Sequence, residues 1–264
     1  LIGAWTFSED VFPSWHLRHL CKNRSMKSTP QLFRRPGFWI VFFTIAFGIA
    51  VLLDIPVTTW VHDSGLSAHL KLATSQRWTL ILRIPGNFVK STIPFTAILL
   101  VWGFARRQHP TQAWWKPAAV VFLAGTFSGI NSAFKWIFGR IRPFHGSPPF
   151  ALHPFFMDGF RGLLHAEAAL SFPSGDVSHA FAWATSLSIV WPAGSYLWFA
   201  LAIEVIFERI AEGAHYPSDT VGGAALGIFA GWLAARLLKF AANKPRARGF
   251  EPTMIDPGSI NTGG

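Results

Sequence analysis

Long apolar runs separated by short polar stretches make up most of this chain. The first runs from Gly37 to about Leu53 and contains no charged residue. Others extend from about Phe88 to Phe104, from Pro117 to about Phe138, from Ser174 to Trp191, from Ser195 to about Ile210 and from Ser218 to about Leu238. A helix of roughly 17–25 apolar residues spans the hydrocarbon core of a bilayer. The pattern therefore predicts an all-α fold, a six-helix transmembrane bundle. Lys90 and Pro94 weaken the second run. Pro192-Ala193-Gly194 separates the fourth from the fifth, a tight turn between antiparallel helices. Gly222, Gly223, Gly227 and Gly231 on the sixth let helices approach closely where no water drives burial.

Composition narrows the classes. Of 264 residues 51% are hydrophobic and 14% charged, against about 25% charged in an ordinary soluble domain, which excludes a water-soluble globule. The net charge is +10, but the basic residues lie between apolar blocks rather than in one dense patch, so nucleic acid is excluded as a partner. The single cysteine, Cys21, forms no intramolecular disulfide. Because the chain opens on Leu1, a trimmed or incomplete N-terminus is expected.

Basic residues near span ends mark the cytoplasmic side. Arg18, Lys22, Arg24, Lys27, Arg34 and Arg35 precede the first span. Arg106, Arg107 and Lys116 lie between the second and third, and Arg236, Lys239, Lys244, Arg246 and Arg248 close the sixth. With six spans these 14 of the 23 basic residues share one side. The expected organisation is a cytoplasmic basic arm (1–36), a six-span domain (37–240) and a flexible cytoplasmic tail (241–264), in a bacterial-type inner membrane. The arm does not read as a cleavable signal peptide, since its basic cluster follows its apolar start; a surface helix on anionic lipid is its other reading.

Lys71, Arg77, Arg83 and Lys90 belong to the first outer loop. Lys135, Arg140, Arg142, Arg161 and Arg209 fall on the outer side too, where few basic residues are expected. Helix counting brings three clusters to that face: Lys135 to Pro143, Phe172 to Asp176, and Glu208 to Asp219. Guanidinium and ammonium groups gathered at one point call for an anion of high charge. Ser174-Gly175 lies where a helix N-terminus offers free N–H groups and a positive dipole end. Lys135, Arg142, Ser174, Gly175 and Arg209 thus read as a phosphate cradle. No set of metal ligands accompanies them, so no metal and no other cofactor is expected. His215 goes beyond binding. Asp219, four residues on, can hold one ring nitrogen and leave the other free to attack phosphorus.

The pattern K-x6-R-P, P-S-G and R-x5-H-x3-D resembles the type 2 phosphatidic acid phosphatase (PAP2) superfamily, integral-membrane lipid phosphatases that share their site with vanadium haloperoxidases. The motifs run from Lys135 to Asp219, and the six-helix layout extends the likeness to most of the chain. The resemblance implies phosphate binding by Lys135, Arg142, Ser174, Gly175 and Arg209, a nucleophilic His215 and its partner Asp219. It implies a phosphohistidine intermediate, a phosphorylated lipid as substrate and an active site facing outside. The alternative is a non-catalytic lipid-phosphate binder or transporter that retains the site. Two positions depart from the pattern. Glu208 stands where the family usually has Ser, and Asp176 where it usually has the His that protonates the leaving group.

An ordinary carboxyl, with a pKa of about 3.9, is protonated in about one molecule per thousand at pH 7, and making it an acid there costs about 4 kcal/mol. A bound phosphate's charge would oppose that cost at Asp176. Three alternatives follow. His179, one turn along, supplies the proton. Or the leaving group needs little help, as with a polyprenyl diphosphate or the anomeric phosphate of a lipid A-like glycolipid. Or catalysis has been lost. Asp176 would otherwise serve only to order the helix start.

Other positions have two readings. Arg140 is a fourth phosphate ligand or a snorkelling interfacial side chain. Residues 144–172, with His145, His153, Arg161 and His165, form a flap that guides a headgroup or lies in the headgroup layer. Glu204 faces the bundle interior, Trp114 and Trp115 anchor the interface, and His62 and His69 lie at the surface.

Overall fold

The computed structural model describes residues 36–67, 86, 91–105, 114–143 and 169–242. Apart from one isolated bridge, the regular elements among them are helical: α1 (Pro36–Asp63), α2 (Ile93–Ala105), α3 (Lys116–Ser128), α4 (Asn131–Phe138), α5 (Gly175–Val190), a 3₁₀ turn (Pro192–Gly194), α6 (Ser195–Ala211) and α7 (Pro217–Ala242). With α4 continuing α3 past a break at Gly129-Ile130, they make the six helices that the apolar runs predict. The arm up to residue 35 with Cys21, the first outer loop with His69, Lys71, Arg77, Arg83 and Lys90, then Arg106 and Arg107, the segment 144–168 with its three histidines and Arg161, and the tail from 243 lie outside the described residues.

Gly37–Asp63, Lys116–Phe138 and Pro217–Leu238 are long and apolar enough to cross a bilayer. At 1.5 Å per residue, α5 and α6, of 16 and 17 residues, reach about 25 Å. This is an integral membrane protein.

The first helix differs from its predicted limit. The apolar run stops at Leu53, yet α1 continues through Asp54 and Pro56 to Asp63. Spacing explains why. Ala50, Asp54, Thr58 and Val61 recur every three or four residues, so they share one face, and all four are buried. That face packs on α7. Ile40, Val41, Ile45, Ile49, Leu52 and Trp60 point outward, the surface that lipid covers.

Helix α5 is the centre of the bundle, contacting α3, α6 and α7. Its Val177, Ala180, Phe181 and Ala184 pack with Ala202 and Val205 of α6 and Ala224 of α7. On another side Trp183 and Leu187 meet Val121 of α3. Of the glycines predicted to allow close approach, Gly223, Gly227 and Gly231 face α5 and its N-cap, while Gly222 faces the Phe172 ring. A Cβ on Gly231 would come within 2.7 Å of the Thr185 Cβ, and one on Gly227 within 2.8 Å of the Phe181 Cβ and closer still to the Ser178 carbonyl. Replacing Gly227 with Ala therefore forces α5 and α7 apart. The expected cost is about 1–3 kcal/mol, the range for overpacking, measured as a lower thermal midpoint of the detergent-solubilised protein. An unchanged midpoint would mean that this helix contact yields easily.

Candidate active site

The predicted cluster begins where α4 stops. Gly139 adopts φ 64°, and its N–H donates to the Lys135 carbonyl at 2.8 Å. A left-handed residue closing a helix is ordinarily glycine, which has no Cβ to clash. Beyond the turn, Ile141 pairs with Leu170 across the isolated bridge. The Arg142 N–H donates to the Ala169 carbonyl at 2.9 Å and the Ser171 N–H to the Arg140 carbonyl at 2.7 Å. Residues 140–142 and 169–171 are thereby held side by side, ahead of the start of α5.

Three helix starts and ends then converge. Ser174, the N-cap residue of α5, donates its N–H to the Asp219 carbonyl at 3.0 Å, which joins α5 to α7. Asn131, on α4, donates to the Pro173 carbonyl at 3.4 Å. A Cβ on Gly175 would meet that Asn131 amide at 2.8 Å, so here glycine makes room for a protein side chain. Lys135, one turn along α4 from Asn131, is buried. Arg209, near the end of α6, crosses to α5, where its Nη1 donates to Asp176 Oδ2 at 2.9 Å. Arg142 is near enough to Asp176, Arg209 and Asp219 to feel their charges.

His215 is almost wholly buried, near enough to Asp219, Arg142 and Asp176 to feel their charges. Its Nδ1 lies 3.6 Å from Asp219 Oδ2, an ion-pair distance slightly beyond a direct hydrogen bond. That oxygen also accepts the Tyr216 N–H at 2.9 Å. Burial pushes the His215 pKa below its ordinary 6.5, with Arg142 adding to the effect; the nearby carboxylate of Asp219, and the charge of Asp176, resist it. The net downward shift keeps the ring neutral, the nucleophilic form, at pH values where a free histidine is already partly charged.

Buried polar atoms normally have partners. The Ser174 Oγ and Arg209 Nε, both buried, have none among the described residues. They are donors at the mouth of a helix N-terminus, suited to an anion. Arg209 is nonetheless heavily engaged: besides Asp176, its Nη2 approaches Glu212 Oε2 at 2.8 Å and Glu208 Oε1 at 3.4 Å. Glu208, the family-atypical neighbour, is thus one of three carboxylates around a single guanidinium.

His179 lies deeper. Its Nδ1 is 3.0 Å from Ser128 Oγ, and its Nε2 is 3.1 Å from Ser91 Oγ and 2.9 Å from Thr92 Oγ1. Ser128 donates its own proton to the Gly125 carbonyl at 2.6 Å. The network therefore assigns the ring proton to Nδ1 and leaves Nε2 accepting from the hydroxyls. His179, Gly175, Asn131 and Ser128 line a cavity of about 360 Å³.

Arg140 corrects both of its predicted roles. It neither faces a phosphate nor reaches the headgroup layer; it is 1% exposed. Its Nη1 donates to Asp219 Oδ1 at 2.8 Å and Ser218 Oγ at 2.7 Å, its Nη2 donates to Asp54 Oδ2 at 2.8 Å, and its guanidinium lies 3.7 Å over the Tyr216 ring. Sequence reasoning missed Asp54 and Ser218 entirely. The available signal was Asp54 itself, a carboxylate expensive to place within an apolar helix. Glu204 is part-buried on α6, and its Oε2 has no partner among the described residues.

Residues 113–242 match the family model described as the PAP2 superfamily. A lipid A 1-phosphatase of Rhizobium etli is 31% identical over 154 residues, which cover 54% of this chain and 62% of that protein. A lipid A 4'-phosphatase of Bacteroides thetaiotaomicron is 31% identical over 123 residues, 45% of this chain and 49% of that protein. The chain thus spans about half to three fifths of the length of these curated relatives. Among solved structures, that of Aquifex aeolicus LpxE is similar with a TM-score of 0.43 at 22% identity, over 70% of this chain and 95% of that one.

Proposed function

We propose, on the match of residues 113–242 to the PAP2 superfamily, that this chain is a membrane lipid phosphatase whose nucleophile is His215. The observation that carries this reading is a buried imidazole, backed by Asp219 and near enough to Arg142 and to Asp176, in the first turn of α5, to feel their charges. The Nε2 of His215 attacks phosphorus in line while the bond from phosphorus to the leaving oxygen breaks, giving a phosphohistidine. Water then attacks phosphorus, the P–N bond breaks, and inorganic phosphate leaves with the imidazole restored. Arg142, Arg209, Lys135 and the amide groups of Ser174 and Gly175 stabilise charge on the equatorial oxygens. Asp219 stabilises the positive charge that the ring acquires.

The incoming phosphate takes the place of Asp176 on Arg209. The hydroxyl cage holds the His179 proton toward Ser128, so this reading favours a leaving group of low basicity over proton delivery from His179. A lipid A-like glycolipid phosphate or a polyprenyl diphosphate fits. The relatives' names, lipid A 1-phosphatase and lipid A 4'-phosphatase, favour the glycolipid. The basic residues that the sequence sets beside the opposite span ends support a site on the extracytoplasmic face of a bacterial-type inner membrane.

The test is phosphate release by detergent-solubilised protein from lipid A, undecaprenyl diphosphate, phosphatidylglycerophosphate and phosphatidic acid, wild type against His215→Ala. Release from lipid A or the diphosphate that exceeds release from phosphatidic acid, and that disappears in the variant, is expected. Equal background release from both proteins would leave a non-catalytic lipid-phosphate binder as the better account.

A further inference from the structure

The His215–Asp219 pair is backed by a second, fully buried pair. Asp219 uses both carboxylate oxygens: Oδ2 toward His215 and the Tyr216 N–H, Oδ1 toward Arg140. Arg140 in turn donates to Asp54 on α1. Asp54 also accepts the Ser218 N–H at 2.8 Å and the Ser218 hydroxyl at 2.6 Å, while that hydroxyl accepts from Arg140. Asp54, Arg140, Ser218 and Asp219 are each no more than 2% exposed. A purely structural tie between α1 and α7 would need one ion pair. Here one guanidinium is shared by two carboxylates from different helices, and one of these also holds the imidazole.

We propose that Asp54 and Arg140 are positioning residues for the nucleophile: Arg140 fixes the Asp219 carboxylate against His215, and Asp54 neutralises Arg140 so that its positive charge does not oppose the charge His215 gains in the transition state. The inference rests on the phosphatase reading for its catalytic consequence, though its electrostatic part is readable without turnover. The charged groups that act on His215 are Asp219 from α7, Asp176 from α5 and Arg142 from the segment after α4, with Arg140 behind Asp219. The first two favour the imidazolium; the arginines disfavour it. Losing the Asp54 charge leaves Arg140 under-compensated, so the imidazolium becomes harder to form.

The sign is therefore fixed. The acid limb of kcat/KM reports protonation of the free enzyme's essential base, and in Asp54→Asn it should move to lower pH. A shift of about one pH unit is expected, the effect of one unit charge about 10 Å away at an effective dielectric near 20. The kcat should fall about tenfold with KM little changed. Asp54→Glu, which restores the charge, should return the limb to its wild-type position. Substrate ionisation is common to all variants and cancels. In parallel, the imidazole NMR signal of His215, identified by its absence from His215→Ala, should titrate lower in Asp54→Asn than in wild type. This holds whether or not the protein turns over, so a silent wild type with a shifted His215 titration would sink the phosphatase reading and leave the electrostatic link standing. A folded Asp54→Asn with unmoved limb and unmoved titration would overturn the inference. If Asp54→Asn does not fold, Ser218→Ala keeps both charges and loosens only the bridge. It should lower kcat severalfold at an unchanged limb and unchanged KM; wild-type kcat at a temperature well below its thermal midpoint would then overturn the inference.

Discussion

Asp219→Asn should lower phosphate release by about 10³–10⁴-fold, comparable to the loss when Asn replaces the Asp partner of a catalytic His in a serine protease. The reason lies in acceptor counting. Asp219 accepts at both oxygens, from Arg140 on one and from the Tyr216 N–H on the other. Asparagine has a single acceptor oxygen. The charged guanidinium claims it, since hydrogen bonds to ionised groups are the stronger. The amide nitrogen is then turned toward the Tyr216 N–H and the His215 ring. An N–H donated to Nδ1 drives the imidazole proton to Nε2, the atom that should attack. Initial rates of phosphate release, with a folding check in the same detergent, measure the loss. Turnover within a few-fold of wild type would show that Asp219 does not govern the tautomer.

Arg140→Met should cost about 3–5 kcal/mol of stability, the range for stranding a buried charge by removing its partner. Two carboxylates lose their guanidinium at once, Asp54 at 2% exposure and Asp219 at 0%. The Tyr216 ring also loses the cation above its face. Adding Asp54→Leu to the same protein should recover part of the loss, because one of the stranded charges is gone and the apolar face of α1 becomes continuous. Denaturation midpoints of the two variants beside wild type decide it. A single variant as stable as wild type would mean that the two aspartates are solvated or protonated in the native protein.

Much of this arrangement could be read from residue order alone, for a physical reason. Lipid imposes nearly the same length of apolar chain on every spanning helix, so the runs from Gly37, Pro117 and Ser218 announce their rods directly. Motif spacing was equally informative locally: a step of four positions from His215 to Asp219 brings their side chains to ion-pair distance at the start of α7. Pairings across long separations were not readable. A charge interrupting an apolar run looks like the end of a span, so the run from Gly37 stops short of Asp54, although that residue's burial depends on an arginine 86 residues away. Arg140 and Arg142 are chemically identical and two residues apart. Only the left-handed turn at Gly139 and the bridge at Ile141 decide which enters the interior. Asp176, absent from the family pattern, was read for its acidity; its hold on Arg209 depends on how α5 and α6 pack.

The bond from Asp54 to Arg140 bears on where this protein can be divided. The superfamily signature begins at residue 113, after α1 has ended, and suggests a self-sufficient module. It is not autonomous in space. Without the first helix, Arg140 would keep one of its two counter-ions, and the stripe of α7 that α1 covers would be laid bare. Grafting the signature onto another membrane anchor would therefore transplant the reacting groups without their electrostatic ground.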